Sequence, residues 1–467
     1  MISPLRVAAA LLLLACRTGG GERPLPAPPP APPVRADDTP AWQRRIQAEV
    51  SALRGLPFKR PVRYGVQTRQ AFRGFVREEL EREMPQAQRA GLSKSYAQMG
   101  FVAEGFDLAQ ALEEALTTQV AAYYDPRRRA LWVLGGSRPP TAASAPGDEV
   151  IAHELQHALQ DQHFDLVEFD GGEGNARGLD EDERSARHFV AEGEAMFVML
   201  AWQMGSGAGG EKRLGPLAVA GLRMTVTMLA AADLTELFAV FRQGSAAAGL
   251  SAENRADLEA LANLPPVIAI PLVEPYLKGA LLVSEVWGRG GWPAVDDLFR
   301  HPPASTEEAL HPDRFLAHRD PPVHIRAPAS PPPLLQGKPL ASEVLGELGW
   351  RIYFKTCQQP GGEQAAAGWG GDRYWSWLLH GKPVVLTATR WDSEAEAREF
   401  FAAYEASLAR RFPRVRVAHT GGGVRLPRPG GGSIVVERRG LDVDIVDGAE
   451  AADLPVLQQF LRAATRQ

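Results

Sequence analysis

The chemistry in this sequence concentrates at His153-Glu154-Leu155-Gln156-His157. On a helix, positions four apart lie one turn apart on the same face, so His153 and His157 can grip one cation together. Glu154 projects beside them, where a carboxylate can take a proton from water activated by a zinc ion. Val150, Ile151, Leu155, Ala158 and Leu159 recur at helical spacing and give this stretch an apolar back, and Asp148 after Gly147 reads as its N-cap. An ordinary amphipathic helix with two surface histidines would show the same pattern, so a further ligand has to be found.

A catalytic zinc takes three protein ligands and keeps one position open. The stretch 184–200 is apolar nearly all round, which marks a buried helix. Glu192 and Glu194 within it need a cation, because an isolated buried charge is costly. Their alternatives are a ligand role or a supporting contact to a ligand histidine. His188 is a weaker ligand candidate and also fits a helix-surface residue.

Ala191-Glu192-Gly193-Glu194-Ala195 after His-Glu-x-x-His resembles the gluzincin metallopeptidases, in which a second helix supplies a ligand glutamate, often just before a glycine. The resemblance implies that Glu192 is the third ligand of a Zn2+ ion, with His153 and His157. Thermolysin-like members carry an aspartate four residues after that glutamate, and here the position is Met196. The carboxylate that orients a ligand histidine must then come from elsewhere, with Asp161 and Glu194 as the candidates. A peptidase also needs a donor for the developing oxyanion, commonly Tyr or His, and Tyr276 and His311 are the catalytic candidates beside Glu154. Ser305-Thr306-x-x-x-x-His311-Pro312 resembles a motif of exported bacterial gluzincin-like proteins, a likeness that extends over about 54–315.

At 467 residues and 45% hydrophobic content the chain can bury a sizeable core in two or three domains. A net charge of −5 with no basic stripe argues against a nucleic-acid partner. Residues 1–16 have a short charged head and an apolar run too short to span a bilayer, the pattern of a signal peptide. The run ends Leu13-Leu14-Ala15-Cys16, which resembles a bacterial lipoprotein box. That resemblance implies a lipid on Cys16 and a protein held to the outside of the cell envelope by the membrane. Cys357 is the other cysteine, so a lipidated Cys16 leaves no intrachain disulfide. Proline-rich 17–40 then reads as an extended spacer.

The expected fold class is α+β. A mostly helical, zincin-like metallopeptidase domain with a small edge-stranded sheet is assigned to 41–335, and a small α+β domain to 336–467. Helical spacing marks 42–53, 68–84 and 101–119, with a strand at 61–66 and a hairpin at 120–124 and 130–134. By the zincin resemblance 130–134 is the edge strand that binds an extended peptide. The stretch 165–183, rich in acidic residues, reads as a solvated loop. Residues 214–242 read as a core helix, and Tyr276 as the start of another. In the C-terminal part, 375–379 and 383–389 form a hairpin, 392–412 a helix, 433–437 and 441–446 a strand pair, and 451–462 a closing helix. The function these readings support is a zinc-dependent endopeptidase acting on a peptide or protein substrate. An inactive zincin-fold scaffold and a zinc amidase for cell-wall peptides are the alternatives.

Overall fold

The computed structural model describes residues 39–118, 120–135, 147–207, 212–233 and 263–467. The signal peptide at 1–16, Cys16 and all but the end of the proline-rich spacer lie outside the described residues. The described chain mixes helix and strand throughout.

The first sheet has three strands, β1 (Arg63–Gln67), β2 (Ala122–Asp125) and β3 (Ala130–Leu134), in the order β1-β3-β2. Asp125 closes the β2–β3 hairpin by accepting from the backbone of Arg127 and Arg128 at 2.9 and 3.1 Å, a common use of aspartate in turns. β3 runs parallel to β1 and antiparallel to β2, so 130–134 is the central strand and not the expected substrate rim. Pairing with a strand from some 60 residues upstream removes its free edge. The edge beside the histidine helix belongs to β2.

Four helices pack beside this sheet: Ala41–Arg54, the motif helix Asp148–Phe164, the carboxylate helix Glu181–Met204, and a long helix Pro266–Arg300. Gly147, not Asp148, holds the N-cap position of the motif helix; Asp148 is its first helical residue and pairs with Arg45 at 2.5 Å. The long helix is apolar enough to cross a membrane, yet it is mostly buried against its neighbours and serves as a core helix. It contains Pro271 and Pro275, so Tyr276 lies inside it and not at its start. Of 214–242, residues 234–242 lie outside the described residues; Pro216–Ala231 is helical, burying Leu222, Val226 and Ala230 and exposing Leu217, Met224 and Met228, so the described part is a surface helix with one buried face.

The carboxylate and long helices meet backbone to backbone. A Cβ on Gly193 would lie 2.2 Å from the carbonyl carbon of Gly279, and one on Gly279 would lie 2.2 Å from the carbonyl oxygen of Phe189. Only glycine permits this approach. It brings Tyr276, one turn before Gly279, to the side of Glu192.

The acidic stretch is the expected solvated loop only in part: 173–178 is mostly exposed, while 166–169 and 181–183 are helical and several of its acids are paired. Asp180 and Glu183 form a reciprocal capping box at the start of the carboxylate helix. Asp170 accepts from His188 at 3.0 Å and Arg184 at 3.1 Å, and Glu173 pairs with Arg127. His188 is thereby a tie to the acidic segment and not a metal ligand.

After β4 (Ile325–Arg326), the C-terminal part builds an antiparallel sheet from β5 (Ala341–Glu343), β6 (Trp369–Leu379), β7 (Lys382–Trp391), β8 (Ala418–Thr420), β9 (Gly423–Pro427), β10 (Ser433–Arg439) and β11 (Asp442–Ala449). Their order is β5-β6-β7-β11-β10-β9-β8, and β12 (Thr465–Arg466) pairs with β4. The helix Glu394–Arg411, capped by Ser393, stacks Phe400 on Trp391 at 4.2 Å over one face. Phe460 of the helix Leu454–Arg462 meets Trp375 and Trp377 edge-on over the other. One apolar core runs from Phe72 and Phe189 through Trp350 to Ile445, so the C-terminal sheet shares its interior with the carboxylate and long helices, while the motif helix packs in a second cluster with the first sheet.

Burial would raise the Asp170 carboxyl, but His188 and Arg184 hold it well below the usual carboxylate range. An unfolded aspartate titrates near 3.9, so this contribution is full above about pH 5 and fades as pH falls toward the folded value. Asp170→Asn is expected to lower unfolding free energy at pH 7 by about 2–3 kcal/mol. Urea titrations at pH 7 and pH 3 check this: the gap between variant and wild type should shrink at the lower pH.

Candidate metal centre

The motif helix and the carboxylate helix deliver three ligand atoms to one point. The Nε2 atoms of His153 and His157 are 3.1 Å apart, and Glu192 Oε2 lies 3.4 and 3.3 Å from them. Bonds of about 2.0–2.1 Å in a zinc tetrahedron place neighbouring ligand atoms about 3.3 Å apart. The three side chains are 1–2% exposed. Glu192 Oε2 is buried and receives no aligned hydrogen bond, although both imidazoles face it. Such an atom fits a cation better than a solvated carboxylate.

The ring of His157 is held in the tautomer a ligand needs. Its Nδ1 lies 2.8 Å from Gln160 Oε1. The amide nitrogen of Gln160 donates to Ala191 O at 2.9 Å and Glu194 Oε2 at 2.6 Å, so the oxygen is the end that meets the ring. Nδ1 then carries a hydrogen, and Nε2 is the nitrogen left to offer a lone pair to a cation that displaces its proton. The sequence pointed to Asp161 or Glu194 for this role, and the structure gives it to Gln160. Glu194 acts one step further back, paired with the buried Arg54, which also reaches Asp296 and stacks over Trp292 at 4.5 Å. Asp161 instead accepts from the Tyr124 hydroxyl at 2.8 Å and from Arg60 at 3.1 Å. Glutamine was overlooked because it carries no charge; its position three residues after His157 was the available signal.

Glu154 lies beside the trio, its Oε2 accepting from the Tyr124 backbone N–H of β2 at 2.7 Å. Burial raises its pKa to about 8, with Glu192 adding to the shift and His157 opposing it. Burial works against a charge on His157, but the Glu192 carboxylate outweighs it and carries the imidazole up to about 9. Burial lowers His153. Glu192 itself stays well below the usual range, since the two imidazoles overcome its burial.

Tyr276 stacks its ring on His153, with centroids 5.7 Å apart and planes 19° from parallel. Its hydroxyl is buried beside Glu192 without an aligned hydrogen bond, and burial with the nearby Glu192 and Glu154 raises its pKa well above the ordinary value. It therefore remains a protonated donor. His311 is not brought to this group. Its Nε2 lies 3.0 Å from both carboxylate oxygens of buried Glu347, which also pairs with Arg351 at 2.6 Å. The Ser305–Pro312 motif is a junction: Ser305 caps the helix Thr306–Leu310, and Thr306 donates to Asp182 of the carboxylate helix. A cleft of about 920 Å³ lies elsewhere, between the helix Gln86–Met99 and the C-terminal sheet.

Residues 334–458 match a family described as a domain of unknown function, DUF8575. No curated protein and no solved structure matches the chain. The matched segment contains none of His153, Glu154, His157, Glu192 or Tyr276.

The two buried glutamates should separate by experiment. Zinc analysis of purified protein is expected to give about one zinc per chain in wild type and much less in Glu192→Gln, with folding retained. Glu194→Gln should instead lower stability by about 1–3 kcal/mol, because it leaves the buried Arg54 with Asp296 as its remaining carboxylate partner. Gln160→Ala should weaken zinc affinity about 10–100-fold in a chelator competition.

Proposed function

We propose that this protein is a zinc-dependent peptide-bond hydrolase with a zincin-like catalytic domain, held outside the cytoplasmic membrane through a lipid on Cys16. The observation that carries the reading is the convergence of His153 Nε2, His157 Nε2 and Glu192 Oε2 at tetrahedral spacing with Glu154 alongside. Among the described residues three ligand atoms meet there, which leaves one position of a zinc tetrahedron for water or substrate.

Zinc, when bound, supplies a charge that polarises a carbonyl and acidifies a water molecule. Glu154 takes the proton from the attacking water and passes it to the leaving amine. The Tyr124 N–H fixes one of its oxygens and so aims the other. Tyr276 O–H donates to the carbonyl oxygen as that atom gains negative charge. An extended peptide would add along the β2 edge next to Glu154.

One observation favours the second reading, a zincin-fold binding protein that does not turn over: the ligands and Tyr276 are at most 4% exposed, so substrate reaches them only after a covering element moves. The zinc amidase reading shares this machinery and differs in substrate. Turnover of a peptide panel, cell-wall stem peptides included, separates the three. Hydrolysis by the zinc-loaded wild type should drop about 10²–10⁴-fold in Glu154→Gln with zinc content unchanged. Tyr276→Phe should lower kcat about 10²–10³-fold at similar KM. A zinc-loaded wild type that cleaves no member of the panel would leave the binding reading, and equal turnover in Glu154→Gln would remove the proposed base.

A further inference from the structure

A second group of carboxylates sits where the Ser305–Pro312 junction meets the C-terminal sheet. Glu307, Asp320 and Asp392 each offer an oxygen, and the three oxygens lie within 4.8 Å of one another. Glu307 comes from the helix Thr306–Leu310, Asp320 from the segment after Arg319, and Asp392 from the turn between β7 and the helix Glu394–Arg411. Like charges at this spacing repel unless something neutralises them.

Among the described residues no cation forms an ion pair with them, although Arg314 partly offsets the repulsion at Glu307 and Asp392. Glu307 is 4% exposed, yet its carboxylate accepts no hydrogen bond and makes no ion pair. Its neighbour Glu308 is fully engaged, with Arg319 at 2.8 Å and the backbone N–H groups of Ala304 and Asp320 at 2.7 and 2.9 Å. The nearest cation, Arg314, forms no ion pair with the three and donates to Ala367 O at 3.0 Å. Glu347 is nearby but is already held by His311 and Arg351. Buried charges of this kind are otherwise paired or bound to metal. Burial, with Asp392, Glu347 and Asp320 adding, carries the Glu307 pKa up to about 10. Burial with Asp320 and Glu396 raises Asp392 to about 7.

We infer that Glu307, Asp320 and Asp392 bind a hard divalent cation of calcium size, which staples the Ser305–Pro312 junction to the C-terminal sheet. The donors are oxygen only, which excludes the zinc preference for nitrogen and sulfur. Two oxygens on one calcium can lie up to about 5 Å apart, whereas magnesium demands a tighter octahedron. Asp320 and Asp392 are exposed, so water completes the shell on the open side. The site shares no residue with the zinc centre and stands or falls separately from it.

The test is isothermal titration of CaCl₂ into the full, zinc-loaded chain stripped of other divalent ions, with thermal melts alongside. Calcium is expected to bind one to one with Kd of about 10⁻⁵–10⁻³ M. It should raise Tm by about 3 °C at saturation, and equimolar MgCl₂ should raise it less. Glu307→Gln and Asp392→Asn should each abolish the calcium response. Without calcium both should melt close to wild type at neutral pH, because glutamine and asparagine replace carboxyls that burial already keeps largely protonated there, so loss of folding does not mimic loss of the site. No calcium heat in wild type, or an undiminished calcium shift in the Glu307→Gln/Asp392→Asn double variant, overturns the inference.

Discussion

The contact at Gly193 and Gly279 is the constraint that the remainder of the metal-site architecture obeys. Helices ordinarily pack 8–10 Å apart because their side chains intervene. Here the backbones touch, and the residues flanking the contact are set relative to each other with little freedom. Glu192, just before the first glycine, meets the imidazoles of the motif helix. Tyr276, one turn before the second, covers His153 from the other side. A bulkier residue at either point would separate the ligand carboxylate from the hydroxyl that shares its pocket.

The carboxylate helix also carries several buried charges with distant partners. Asp182 at its start meets Thr306, Glu192 meets the two histidines, and Glu194 meets Arg54 and Gln160. Each acid looks to a different part of the chain. One helix therefore ties together the N-terminal helix, the motif helix and the junction leading to the C-terminal sheet. The cost of burying each charge is offset only when all of these parts are in place.

The motif helix was readable from its sequence because both of its signals are local: histidines four apart and an apolar back at the same period. The paired strands and the capped helix of the C-terminal sheet were readable for the same reason, through alternation and turn residues such as His380-Gly381. What escaped was set by distant partners. The central place of β3 depends on β1, far upstream, and alternation within β3 cannot reveal it. The acidic stretch looks solvated until Arg127, Arg184 and His188 are seen to meet it. Pro275 suggested a helix start beside Tyr276, but the surrounding packing carries the helix through the proline. His311 and Tyr276 were indistinguishable as candidates, since only tertiary contacts send one to Glu347 and leave the other beside His153.

Arg54 gives the N-terminal helix a significance that its distance from the histidines in the numbering conceals. This guanidinium is the counter-charge for Glu194, and Glu194 in turn steadies the amide that orients His157. The helix that follows the proline-rich spacer is thus a footing of the candidate metal centre, not a handle attached to it. A fragment cut to begin at the signature would keep every ligand and lose the ground on which the ligands stand.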